Sequence, residues 1–131
     1  LNMAGIGYKA DNTVAGVMVI TWASMAVSDT GTPFICAMYA DRTVQVHGNF
    51  SVGGNVIMEG TNQPTGPSIY ATLNDPLGNT VSISTAKVQQ ILENTFYIRP
   101  RISAGDASTS LTVRLLVSTP TGDSIFVADT V

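Results

Sequence analysis

Between Thr43 and Val117, short stretches of alternating apolar and polar residues are separated by clusters of glycine, asparagine, aspartate and proline. Alternation with a period of two places every second side chain on one face of a β-strand, and the intervening clusters are typical of turns. About eight or nine strands at this spacing predict an all-β fold, either a β-sandwich or a jelly roll. We therefore expect a scaffold of strands that presents surface.

The 131 residues fit a single domain. The first stretch, residues 1–15, has little periodicity and contains Gly5, Gly7 and scattered apolar side chains, including Tyr8. We predict an extended N-terminal arm over residues 1–15 and a β-sandwich domain over residues 16–131. Two interpretations of the arm stay open. It lies across a neighbouring subunit, which would bury its apolar side chains, or it is a disordered tail.

A β-hairpin is predicted in the first half of the domain. The segment 43–50 reads as a strand whose two valines share one face. Gly53 and Gly54 follow it, and a pair of glycines supplies the positive φ angles of a tight turn. We expect the segment 55–59 to return beside the segment 43–50 and to pair with it.

Two later segments have less regular patterns. In residues 87–93, the apolar side chains have the spacing of a short helix, but a strand or an irregular crossover fits as well. In residues 96–102, Pro100 interrupts a regular alternation. Because proline has no N–H to donate to a neighbouring strand, we expect this strand to lie at a sheet edge or to contain a bulge there.

A partner-binding surface is predicted on two strands that we expect to be adjacent, 96–102 and 111–117. Their polar positions, opposite the apolar ones, are Tyr97, Arg99, Arg101 and Arg114. Arginine and tyrosine are favoured at protein contacts because they combine contact area with hydrogen bonding. The alternative is a solvated sheet face whose arginines are balanced by nearby carboxylates. Tyr8 in the arm is a further candidate contact.

Composition excludes several classes of partner and favours self-association. The net charge is −3 and the six lysines and arginines form no basic run, which argues against binding to DNA or RNA. The longest apolar stretch, residues 17–27, is shorter than the ~20 residues that cross a bilayer, so no membrane span is predicted. Only 11% of residues are charged and 44% are hydrophobic, which predicts an assembly subunit. We expect a homo-oligomer, a dimer or trimer, formed through the apolar strands near either terminus and the arm of residues 1–15.

The sequence offers little for catalysis, and we predict that the protein is not an enzyme. His47 is the only histidine and has no second ligand at metal-binding spacing. Cys36 lies in an apolar run and is predicted to be a buried, inert thiol. The nine acidic residues lie mostly in turns or at strand ends, where aspartate caps the backbone. No catalytic residue, metal or cofactor is therefore predicted.

Five segments carry a resemblance to a known family. They are Val-Gln-Val-His-Gly-Asn-Phe at 44–50, Gly-Gly-Asn-Val-Ile-Met-Glu-Gly-Thr-Asn at 53–62, Ala-Thr-Leu-Asn-Asp-Pro-Leu-Gly-Asn at 71–79, Leu-Glu-Asn-Thr-Phe-Tyr-Ile-Arg-Pro at 92–100 and Leu-Thr-Val at 111–113. Their succession resembles small β-sandwich virion proteins of tailed bacteriophages. Similar sequences commonly carry Ser-Asn-Asp-Gly and then tryptophan after the position of Gly60, whereas this chain has Thr-Asn-Gln-Pro-Thr-Gly at 61–66 and then Tyr70.

The resemblance implies a phage virion structural protein. Several such proteins act as capsid decoration, or cement, subunits, which implies the major capsid protein as partner and the capsid surface of the virion as location. A tail or neck component is an alternative. A second resemblance links Phe-Tyr-Ile-Arg at 96–99 to a strand of discoidin-like, galactose-binding jelly rolls. It implies a carbohydrate-binding module, for which the loop residues Asn62 and Tyr70 are the candidates.

Overall fold

The computed structural model describes residues 5–12 and 14–120, and this part of the chain contains twelve strands and no helix. Residues 1–4 of the predicted arm and residues 121–131 of the predicted domain lie outside it. The strands are β1 Gly5–Ile6, β2 Lys9–Asp11, β3 Val17–Met25, β4 Thr30–Gly31, β5 Phe34–Ile35, β6 Asp41–Asn49, β7 Asn55–Thr61, β8 Ala71–Thr72, β9 Ser82–Ile83, β10 Lys87–Gln90, β11 Tyr97–Ala104 and β12 Ser110–Ser118.

The strands form two sheets that pack face to face. Sheet A has the order β1-β4-β11-β7-β8, with β5 added to β11 and β9 added to β7, and sheet B has the order β10-β6-β12-β3-β2. One apolar core lies between them and includes Trp22 from sheet B and Met58 from sheet A, both fully buried. The prediction of an all-β sandwich is confirmed.

The predicted alternation positions the core residues of the two longest late strands. On β12, the side chains of Leu111, Val113, Leu115 and Val117 are fully buried, and the residues between them face outward or are half-buried. On β11, the apolar positions from Ile98 to Ile102 are buried in the same way. Period-two patterns therefore identified the inner face of each strand.

The predicted hairpin is wrong. β6 pairs with β10 and β12 in sheet B, whereas β7 pairs with β11, β8 and β9 in sheet A. The turn itself exists, since Gly53 has a φ of 76° and the amide of Gly54 donates to the carbonyl of Phe50 at 3.1 Å. It carries the chain across the core from one sheet to the other, so the apolar faces of β6 and β7 oppose each other instead of lying side by side.

Of the three interpretations of residues 87–93, the short helix is wrong. The segment begins as the strand β10 and continues as a crossover. β10 pairs antiparallel with β6, and the following residues lead from sheet B to the start of β11 in sheet A. Ile91 is buried, whereas Val88 and Leu92 are largely exposed. In a helix, all three side chains would have been buried on one face, and here only Ile91 is.

Pro100 lies on an inner strand, and the prediction of an edge or a local bulge is wrong. β11 pairs with β7 on one side, and on the other side with β5 at residues 97–98 and with β4 at Arg101. Pro100 falls between these two short pairings. Gly31 permits the close approach, because a Cβ added there would lie 2.7 Å from both the Pro100 ring and Trp22.

The described part of the N-terminal arm is extended and pairs with both sheets of its own chain. β1 pairs in parallel with β4 of sheet A, and β2 pairs antiparallel with β3 of sheet B. Tyr8 lies between these strands and makes edge-on contacts with the rings of Trp22 and Phe34, at centroid distances of 5.8 and 5.6 Å. These contacts make the segment part of the fold.

Arg42 joins the two sheets through its buried guanidinium group. The side chain is on the inner face of β6, and the residue is only 1% exposed. Its Nη1 donates to the carbonyl of Glu93 at 2.9 Å, and its Nη2 donates to the carbonyls of Cys36 and Thr95 at 2.9 and 3.0 Å. Burial lowers the pKa of Arg42. The charge is thus neutralised by backbone dipoles of two connecting segments and not by a carboxylate.

Replacing Arg42 with alanine is expected to destabilise the fold by about 3–5 kcal/mol, because the side chain leaves a gap in the core, the carbonyls of Glu93 and Thr95 lose their donor and the carbonyl of Cys36 keeps only the Tyr39 amide. Urea denaturation followed by tryptophan fluorescence measures this through buried Trp22. Arg114→Ala is the matched control, since it removes the same group from an exposed position and should change stability by less than about 0.5 kcal/mol. Equal stability losses in the two variants would contradict the assignment.

Candidate functional site

Outward side chains of β11 and β7 form an ordered charged cluster on sheet A. Arg99 lies opposite Glu59 in the strand register, and its Nε and Nη2 both donate to Glu59 Oε1 at 2.8 Å. Arg101 Nε donates to Glu59 Oε2 at 3.2 Å. Glu59 is only 5% exposed because the two arginines cover it. One carboxylate therefore fixes the positions of two guanidinium groups.

Tyr70 completes the cluster from the loop that follows β7. The guanidinium carbon of Arg99 lies 3.7 Å from the centre of the Tyr70 ring, a cation–π arrangement. Burial raises the pKa of Tyr70, and the neighbouring Arg99 opposes that rise. Gln63 holds the loop in place, since its Oε1 accepts from the amides of Ser68 and Ile69 at 2.8 and 2.7 Å.

The sheet A patch, as we name this group, consists of Tyr70, Tyr97, Arg99 and Arg101 around Glu59. Arg101 is the most accessible of its charges, with 41% of the side chain exposed. Within residues 5–12 and 14–120, its two Nη groups have no hydrogen-bond partner, which leaves donors for a carboxylate of another molecule. Glu59, the only carboxylate of the patch, is already engaged by both arginines.

The structure brings together only three of the predicted partner-binding residues: Tyr97, Arg99 and Arg101. Arg114 is on β12 in sheet B, so the predicted adjacency of the two strands is wrong. Both strands direct their apolar residues into the core from opposite sides, and Arg114 therefore faces away from Arg101. There, Arg114 Nη1 contacts Nε2 of His47.

Glu59 was missed by the sequence reasoning, and Tyr70 was predicted only as a sugar contact and not as part of this surface. Glu59 follows the buried Met58 in a strand, and a charged side chain in the middle of an otherwise apolar strand signals a partner on the neighbouring strand. Tyr70 gives no comparable signal. Its position depends on Gln63 and on the pairing of β8 with β7, which the sequence alone does not specify.

A cavity of about 360 Å³ adjoins the patch. It is bounded by the loop after β7, by the strand β8 and by the crossover, and its lining includes Asn62, Tyr70, Thr72 and Glu93. Asn62 Oδ1 accepts from the amide of Phe96 at 3.0 Å, which leaves its Nδ2 as a donor. Hydrogen bonds from Asn74 fix Glu93 at 2.7 and 2.8 Å. The two predicted sugar-binding candidates, Asn62 and Tyr70, thus line one cavity.

Cysteine and acidic side chains, which support catalysis in many enzymes, have structural roles at Cys36 and Asp75. Among the described residues, no three of His, Cys, Asp and Glu are grouped as a metal site, and no helix could span a membrane. Cys36 is buried, as predicted, and burial raises the pKa of its thiol to about 11. Asp75 fixes a turn by accepting from the amides of Leu77 and Asn79.

The fold and the patch together define a two-sheet β-sandwich that presents a fixed arginine–tyrosine surface. The crystal structure of the SPBc2 prophage-derived protein YomS has a similar fold, with a TM-score of 0.59 over 83% of this chain and all of that chain. The two sequences are 10% identical, so the likeness shows the fold alone. No protein-family model and no curated protein sequence matches this chain.

Cys36 is expected to be unreactive towards Ellman's reagent in the native protein at pH 8. The thiolate is the reacting species, and a pKa of about 11 leaves roughly one thiol in a thousand ionised at that pH. In urea, the thiol should react at the rate of a free cysteine, which provides the control in the same sample. Rapid release of one equivalent of thionitrobenzoate from folded protein would contradict this placement.

Proposed function

We propose that this protein is a structural component of a phage virion, a capsid decoration (cement) protein that binds the major capsid protein on the outer surface of the shell. The observation that carries the proposal is the sheet A patch. Its two arginines and Tyr70 are held in place before any partner binds, and they are partly exposed on one face. The fold similarity to a prophage-derived protein, over 83% of this chain, supports a phage origin.

The role is one of binding, not turnover. Binding usually costs the freedom of long side chains, and Glu59 has already restricted Arg99 and Arg101 in the free protein. Tyrosine adds rigid contact area beside them. A shell offers many equivalent sites, so modest affinity per copy would add up to a large gain in the stability of the particle.

Shell binding is tested with empty, expanded heads of the phage that encodes the protein. Replacing Arg101 with alanine is expected to weaken co-sedimentation with heads at least tenfold, ~1.4 kcal/mol, because it removes the most accessible donors of the patch. Lys87→Ala removes an exposed cation from sheet B and is the matched control. Both variants should have wild-type circular dichroism.

Three results would contradict the proposal: no binding of the wild-type protein to heads, equal losses for the two variants, or binding to isolated tails in place of heads. The third result would support the tail or neck component. Electron microscopy of particles decorated with the purified protein identifies the location directly.

A carbohydrate-binding role is the second candidate, favoured by the cavity beside the patch. Asn62 and Thr72 offer polar groups, and Tyr70 and Leu73 offer apolar surface, the combination with which proteins hold a sugar ring. This role predicts saturable binding on a glycan array that Asn62→Ala lowers at least tenfold. Asn79→Ala, outside the cavity, is the control, and an array without any saturable signal would exclude this role.

A further inference from the structure

The outer face of sheet B has two aligned rows of side chains that point away from the core. The strand register places Val88, Gln45, Arg114, Thr21 and Lys9 in one row, and Gln90, Thr43, Leu116, Val19 and Asp11 in the next. His47 lies beyond the first row on β6, and Asp41 lies beyond the second on the same strand. We call this surface the sheet B face.

The centre of the sheet B face is apolar and open. Val88 is 60% exposed and Leu116 is 40% exposed, and together with Val19 they border a shallow cavity of about 330 Å³. Threonine and glutamine fill most of the remaining positions of the two rows. Seven of the ten side chains in the two rows are uncharged. Exposed apolar side chains grouped in this way are typical of a surface that another protein covers.

Charge is distributed unevenly along the strands of this face. Lys9 and Arg114 are both in the first row, so the cationic groups lie towards one end. Asp11 is in the second row, with Asp41 beyond it, so the acids gather towards the other end. The apolar side chains of Leu116 and Val19 lie between the two ends.

Such a face is complementary to a second copy of itself. A two-fold axis that lies in the interface, perpendicular to the strands, turns the acidic end of one copy onto the cationic end of the other. The same operation superposes the apolar centres, whereas an axis parallel to the strands would oppose like charges. Sheets that pack face to face with nearly aligned strands are a common arrangement.

We propose that the sheet B face is a self-association surface on which two copies form an isologous dimer, with the Arg114 end of one copy against the Asp41 end of the other. The proposal names the surface for the homo-oligomer expected of the proposed decoration protein, and its biological use rests on that function. The sheet A patch is on the opposite side of each copy and stays free.

The test is a charge exchange measured by sedimentation equilibrium of the purified protein in low salt. Asp41→Arg and Arg114→Asp are each expected to weaken the dimer at least tenfold, because each variant creates two symmetric repulsions. The double variant should recover the affinity to within about threefold of the wild type, since opposite charges meet again. Leu116→Glu, which places a charge in the apolar centre, should give a monomer.

Lys87→Asp is the matched control, because it reverses an exposed charge that lies outside the two rows, and it should leave the dimer unchanged. A wild-type protein that is monomeric at about 100 µM would overturn the proposal. So would a double variant that is weaker than either single variant, or a control that weakens the dimer equally. This experiment uses the purified protein without heads, so it is independent of the head-binding test. If the protein dimerises but fails to bind heads, the proposed function is overturned and the interface stands.

Discussion

The buried guanidinium of Arg42 sets the geometry on which the candidate site depends. It is in sheet B but donates to carbonyls of the two segments that lead into and out of sheet A. One of these segments, residues 91–96, delivers the chain to β11, and the amide of Cys36 donates to the carbonyl of Phe96 at 2.7 Å. The start of the strand that carries Tyr97, Arg99 and Arg101 is therefore fixed from within the core. A carboxylate partner would have neutralised the charge, but it would have left the carbonyls of Glu93 and Thr95 without a donor.

The two outer faces of the sandwich have opposite character although both belong to strands with the same alternation. On sheet A, Glu59 is surrounded by Arg99, Arg101 and Tyr70, so the polar side chains restrain one another. On sheet B, Leu116 and Val19 are cross-strand neighbours, and the charges lie around them instead of between them. The first arrangement suits a directional contact with a polar partner, and the second suits a broad contact with an apolar centre.

What the sequence determines well is the inward or outward direction of the side chains in regularly alternating strands. Leu111 to Val117 alternated as expected because a strand has only two faces and one of them must be buried. What it does not determine is which sheet a strand joins. Gly53 and Gly54 form a tight turn either in a hairpin or in a crossing between sheets, since the backbone angles that glycine supplies do not depend on the partner of the next strand.

The same ambiguity explains why the predicted neighbours Arg101 and Arg114 lie on different sheets. Two consecutive strands with alternating side chains are compatible with adjacent positions in one sheet and with facing positions across a core. In the structure they face each other, since Val113 on sheet B and Ile102 on sheet A both belong to the one core between the sheets. Glu59 then became the partner of both arginines on β11, a pairing between residues 40 and 42 positions apart that no local pattern specifies.

The two proposed surfaces together constrain how the protein would sit on a particle. Because the sheet B faces meet in the proposed dimer, the two sheet A patches point in opposite directions. Such a dimer cannot place both patches on one flat surface. It would occupy a groove between facing walls of neighbouring capsomers, or bind the shell through one patch and expose the other. In the first case, each dimer crosslinks two capsomers, and two weak contacts would add as one bivalent attachment. Reinforcement of the shell would then follow from where the subunit binds, without any movement within its fold.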